Sequence, residues 1–96
     1  MNEHQQRLWQ SMIDLIQNYL MGETEDFYSI VGQLEGALDA SEIKDTNLIN
    51  QWYELWTPLE TRRAIEGINI NKIKATEELI KMKDFLIRNK GDLNEA

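Results

Sequence analysis

Cysteine is absent from this 96-residue chain, and histidine and proline occur once each. Without cysteine there is no disulfide framework and no thiol chemistry, which is compatible with a reducing cytoplasm. The same counts exclude zinc sites built from cysteine and histidine. A di-iron bundle needs inward-facing Glu-x-x-His pairs, and His4 stands alone near a terminus expected to fray. A Ser-His-Asp triad would have to recruit that same residue. Neither a Gly-x-x-x-x-Gly-Lys phosphate loop nor a Gly-x-Gly-x-x-Gly fingerprint occurs. No apolar run approaches the roughly 20 residues of a membrane span. Met1 to Gln6 lack the basic stretch and apolar core of a signal peptide. A soluble cytoplasmic protein with no metal, cofactor or catalytic residue is therefore expected.

Acidic charge is abundant, and it is segregated. From Gly22 to Glu60 there are nine carboxylates against the single Lys44, whereas residues 61–96 carry eight bases and six acids. Such a block attracts a basic protein and repels nucleic acid and anionic membrane. The hydrophobic fraction of 42% and charged fraction of 28% are ordinary for a folded chain. A single domain over 1–96 is expected, since this length supports one modest core.

Apolar spacing predicts four helices. Leu8, Trp9, Met12, Ile13, Leu15, Ile16, Tyr19 and Leu20 share one helical face, and Gly22 supplies the stop. Thr24 is placed to cap a second helix with Glu25 and Asp26 in its first turn. Its stripe is Phe27, Ile30, Val31, Leu34 and Leu38, followed by a polar connection from Ala40 to Asp45. Asp45 or Thr46 opens a third helix with the stripe Leu48, Ile49, Trp52, Leu55, Trp56 and Leu59. Pro58 permits two readings. Thr57-Pro58-Leu59-Glu60 matches a capping box that would start a new helix, while the unbroken phase from Trp52 to Leu59 favours one kinked helix ending near Gly67. Ile68-Asn69-Ile70-Asn71 is then a connection whose isoleucines tuck against the core. The last helix runs from Asn71 or Lys72 to Asn89 on Ile73, Ala75, Leu79, Ile80, Met82, Leu86 and Ile87, with Phe85 at the edge of its apolar arc. Lys83 snorkels to water, Gly91 marks the stop, and the tail 91–96 is expected to fray. The architecture is thus an all-α, small four-helix bundle with antiparallel neighbours.

Two features of the second helix bear on function. Glu35 and Asp39 lie four apart on one face with no base at the matching spacing. A solvated face explains them, and so does a docking surface for a basic partner. Opposite the apolar stripe lie Ser29, Gly32, Gly36 and Ala40. Glycine inside a helix costs roughly 1 kcal/mol relative to alanine, and small residues permit close approach of another backbone. That backbone belongs either to a neighbouring helix of the bundle or to a partner or second subunit. Trp9, Trp52 and Trp56 read as core, although Trp52 and Trp56 could equally anchor an open interface. Arg63 stands where another core residue would fall, between Glu60 and Glu66, and reads as a local ion pair.

The run Ile13 to Gly22, then Phe27, Leu34-Glu35-Gly36-Ala37-Leu38-Asp39, Trp52 to Trp56 and Leu59-Glu60 resembles small helical bacterial proteins of uncharacterised function. A helix closing in Tyr-Leu-x-Gly before an acidic helix with phenylalanine is similar to colicin-type immunity proteins. Over residues 13–65 the resemblance implies a bacterial source and a toxin-neutralising role. The leading expectation is a non-enzymatic module that binds a basic partner through Glu23, Glu25, Asp26, Glu35, Asp39, Glu42 and Asp45. The alternative is a self-associating bundle using the Gly32 and Gly36 face or an open tryptophan stripe. A small acid–base enzyme, the third class, requires a concave pocket with a buried carboxylate.

Overall fold

Each amphipathic segment becomes one α-helix in the computed structural model, which describes the backbone of residues 1–93 and the side chains of residues 1–90. Helix α1 spans Glu3–Leu20, α2 Phe27–Ser41, α3 Thr46–Glu66 and α4 Lys72–Leu93, with a 3-10 turn at Gly67–Asn69 before α4. No strand occurs among the described residues. Every helix opens on an asparagine or aspartate. The Asn2 side chain accepts from Gln5 N at 2.8 Å while the Gln5 side chain accepts from Asn2 N at 3.0 Å, a complete capping box. Asp26, Asp45 and Asn71 accept from Ser29, Leu48 and Lys74 N at 2.9, 3.1 and 3.1 Å. Caps of this kind stabilise a helix by about 1 kcal/mol each.

These caps move several boundaries away from the sequence expectation. Asp26, rather than Thr24, caps α2, because its carboxylate reaches Ser29 N; Thr24 Oγ1 instead accepts from Asp26 N at 3.3 Å. Glu25 and Asp26 therefore precede the helix. At its far end α2 runs through Ala40 to Ser41, whose Oγ donates to Leu38 O at 2.5 Å, and Glu42 turns out in the left-handed region at φ 57°. The connection shortens to residues 42–45. Helix α1 begins at Glu3, and His4 Nε2 lies 3.1 Å from Ala40 O, so this terminus is tied to α2 rather than frayed. Gly22 stops α1 at φ 79°, and Glu23 N donates to Asn18 O at 2.9 Å across the turn. Helix α3 continues through Pro58. Proline deletes the hydrogen bond to Glu54 O, but both residues are exposed and water can take that carbonyl. Helix α4 passes Gly91 to Leu93; the expected fraying of residues 94–96 lies outside the described residues.

The helices close a ring, α1 against α2 and α4, and α3 against α2 and α4. Short connections make the neighbours antiparallel, so the α1–α2 and α3–α4 connections share one end and the N-terminus and α2–α3 connection share the other. Trp9, Met12, Ile16, Val31, Leu34, Trp52, Leu59, Leu79, Met82 and Leu86 are fully enclosed. All three tryptophans are buried, and two are anchored: Trp9 Nε1 donates to Leu86 O at 2.7 Å and Trp56 Nε1 to Val31 O at 3.0 Å. Trp52 stacks on Trp56 with ring centroids 5.8 Å apart. The open tryptophan stripe is thus ruled out as an interface.

The orientation of α4 differs from expectation. Ala75, Leu79, Met82, Phe85 and Leu86 are buried, whereas Ile73, Ile80 and Ile87 are exposed. The apolar arc of this helix exceeds what α1 and α3 can cover, and the packed side is the one centred on Met82. Phe85 enters the core against Trp9, their ring centroids 6.2 Å apart. Lys83 lies half-buried and donates to Gln17 Oε1 of α1.

Candidate functional site

Cations in the chain are drawn to α3 and α4. Arg62 bridges those helices, donating to Glu78 at 2.8 and 3.1 Å and to Glu66 at 2.6 Å. Arg63 donates to Glu60 at 2.8 Å, as expected, and its guanidinium lies 4.5 Å from the Tyr28 ring centroid. Hydrogen bonds to Glu78 hold the Arg62 pKa above its ordinary value, and the bond to Glu60 does the same for Arg63. Glu66 pairs with Arg62 instead of Arg63.

None of the seven carboxylates expected to meet a partner joins an ion pair among the described residues. The structure divides them between the two ends of the bundle. Glu23, Glu25 and Asp26 are exposed beside the α1–α2 connection, whereas Asp39, Glu42 and Asp45 are exposed around the α2–α3 connection, about 20 Å away along α2. Glu35 lies between them and is half-buried. It accepts from the Tyr53 hydroxyl at 3.1 Å, and Arg63 of α3 supplies the positive charge that α2 lacks. Burial first, then the bond to Glu35 and the charges of Glu35 and Asp39, push the Tyr53 pKa up. Burial and Glu25 raise that of Tyr19. Asp26 and Asp45 also serve as helix caps, so with Glu35 three of the seven have structural roles.

The small-residue face is open. Gly32, Gly36 and Ala40 are exposed, and no helix backbone crosses them, which overturns the reading of α2 as a sandwiched helix. A Cβ on Gly32 would meet only Arg63 Nη1, at 3.7 Å, and one on Gly36 would meet nothing within 4 Å. Ser29 is half-buried and accepts from Gln33 at 2.7 Å.

Sequence reasoning missed the exposed hydrophobics at the end holding the α1–α2 and α3–α4 connections. Met21, Tyr28, Ile65, Ile68 and Ile73 all belong there and are 60% exposed or more. Ile68, expected to tuck inward, is 99% exposed; Ile70 alone packs against the core. A groove of about 350 Å³ runs between the two connections, with Phe27 and Ile70 below and Tyr28 and Ile68 beside it. Glu25, Asp26 and Lys72 complete its lining. The signal was available in the failure of the α3 apolar phase after Leu59, which leaves Ile65 off the buried stripe.

Ser41 is the single buried polar residue among those described; no acidic residue there is buried as a whole, although Glu60 Oε2 is enclosed without a hydrogen-bond partner. No three His, Cys, Asp or Glu side chains gather as a metal-binding group among the described residues. No described helix is long and apolar enough to cross a membrane. No protein-family model, curated protein or solved structure matches the chain.

Proposed function

We propose that this protein is a non-enzymatic module that binds a basic protein in the bacterial cytoplasm. One observation carries the reading: among the described residues seven carboxylates stand outside any ion pair, Glu35 feeling the charge of Arg63 only at longer range, while Arg62 and Arg63 are committed to Glu60, Glu66 and Glu78. Plain solubility does not require the acids and bases to segregate. Proteins that act on nucleic acid have basic surfaces, so a nuclease-type toxin is the partner class, and an immunity protein the role, that this charge suits. Electrostatic steering would make such association fast and strongly salt-dependent. The test is stopped-flow association with a panel of purified basic nuclease domains at low and high ionic strength. Binding that slows steeply with salt and inhibits a nuclease supports the reading; a complete lack of binding, or rates indifferent to salt, removes it.

The exposed Gly32 and Gly36 favour a second reading, self-association through Ser29, Gly32, Gly36 and Ala40. Sedimentation separates the two. A chain that stays monomeric at high micromolar concentration eliminates the second.

A further inference from the structure

We infer that the groove between the α1–α2 and α3–α4 connections docks an extended segment of a partner protein in which a lysine or arginine stands beside an apolar side chain. This docking site presupposes the basic-partner reading above and adds to it a place and a side-chain chemistry. Among the residues with described side chains, five of the seven large exposed hydrophobics, Met21, Tyr28, Ile65, Ile68 and Ile73, belong to this one end. Scattered exposed hydrophobics are normal on a protein surface, but Tyr28 and Ile68 line one groove together with Phe27 and Ile70, whereas Ile65 lines a separate groove with Pro58 and Glu78. Ile68 stands 99% exposed on the wall of that groove, and the 3-10 turn beneath it rests on Ile70 rather than on Ile68. The fold therefore gains nothing from an isoleucine at position 68, whereas a partner would.

Charge selects the occupant. Glu23, Glu25 and Asp26 have no cation within 4 Å, and Lys72 is the one base in the lining. An anionic membrane is repelled by this rim. A second copy docking the same end on itself would offer only Lys72 to Glu23, Glu25 and Asp26 of its partner, leaving most of those carboxylates unpaired. A segment carrying an apolar residue for the space between Tyr28 and Ile68, with a base to meet Glu25 or Asp26, satisfies both halves of the site. The carboxylates of the opposite end, Asp39, Glu42 and Asp45, then act on the approach of the partner and not in this groove.

The experiment is NMR titration of the isotope-labelled protein with a peptide of alternating lysine and leucine, and separately with an oligolysine of equal charge. The alternating peptide should shift the amides of residues 25–28 and 67–72 and saturate. Replacing the exposed isoleucine, Ile68→Ser, should weaken that peptide about tenfold while leaving oligolysine within about twofold. Glu25→Gln should weaken both peptides and reduce the salt dependence of each. Shifts confined to residues 35–45, or an alternating peptide indifferent to Ile68→Ser, would overturn the groove as the site and leave the basic-partner reading standing. If neither peptide binds, the groove falls, and the basic-partner reading stands or falls on the nuclease panel. A wild-type chain that sediments as a dimer, with Ile68→Ser monomeric, would instead make a second copy the occupant.

Discussion

The Tyr53 hydroxyl of α3 donates to Glu35 Oε2 of α2 at 3.1 Å, so one acidic residue is held by the fold while Asp39, one turn further along α2, stays exposed. The pairing favours protonated Tyr53 in the folded state, and burial acts in the same direction at both Tyr53 and Tyr19. The unfolded chain then loses these protons at a lower pH than the folded one. Their contribution to stability is whole below about pH 10 and is lost as pH rises through the elevated folded values. Urea unfolding at pH 8 and again near pH 11 should show a loss that is smaller in Tyr53→Phe. Equal losses in the two proteins would show that Tyr53 titrates alike folded and unfolded.

Charge reversal should separate the acidic residues by role. Asp39→Lys leaves every hydrogen bond of the fold in place, and its effect on stability should stay within about 0.5 kcal/mol. Asp26→Lys also removes the carboxylate that caps α2 at Ser29 N, at a cost of about 1 kcal/mol. Both should slow association with a basic partner to a similar degree. Chemical denaturation alongside stopped-flow rates reads the two effects independently. An Asp26 variant as stable as the Asp39 variant would mean that the cap is dispensable.

Arg62 joins α3 to α4 through Glu78 while also holding Glu66, and its side chain is only 13% exposed. Removing it leaves two half-buried carboxylates close together without a cation. Arg62→Ala should cost about 1–3 kcal/mol, and Glu78→Gln made in the Arg62→Ala background should cost less than in the wild type. A double-mutant cycle by denaturant unfolding measures that coupling; additive effects would assign the bridge no net value.

Gly36 carries no conformational demand that alanine cannot meet. Its φ is negative, and a Cβ there would meet nothing within 4 Å. Gly36→Ala should therefore raise stability by about 0.5–1 kcal/mol, visible as a higher urea midpoint with an unchanged slope. If the open face receives a partner backbone, the same substitution weakens that complex. A variant that is stabilised and binds normally would remove α2's small-residue face from the interface.

The four helices and the α2 stripe were legible because spacing alone decides which residues of an amphipathic helix share a face. Phe27, Ile30, Val31, Leu34 and Leu38 are all buried, as expected. Helix α4 was less legible, because its apolar arc is wider than its contact and only tertiary packing decides that Met82 and Phe85 enter while Ile73, Ile80 and Ile87 remain outside. The α2 cap was misplaced for a local reason: Thr24 and Asp26 are both competent caps, and their competition is settled by which side chain reaches Ser29 N. Segregated acidity was visible as a block, but its division between two ends depends on where α2 begins and stops. The broken α3 phase after Leu59 hinted that Ile65 lies off the buried stripe, but the groove itself required knowing that the Ile68 turn closes beside Tyr28, a long-range neighbourhood.

The tryptophans offer a comparison within one core. Trp9 and Trp52 are both 0% exposed, but Trp9 Nε1 donates to Leu86 O, whereas Trp52 Nε1 is buried without a partner among the described residues. Replacement by phenylalanine removes similar volume at either position, so the packing losses nearly cancel in the comparison. What differs is the indole N–H. At Trp9 a satisfied hydrogen bond is lost, a term of about 1 kcal/mol. At Trp52 an unsatisfied buried donor is removed, which relieves a desolvation penalty and offsets part of the cavity cost. Trp9→Phe should therefore destabilise the protein by at least about 1 kcal/mol more than Trp52→Phe in paired urea unfolding curves. Equal losses would mean that Trp52 Nε1 finds an acceptor in solution.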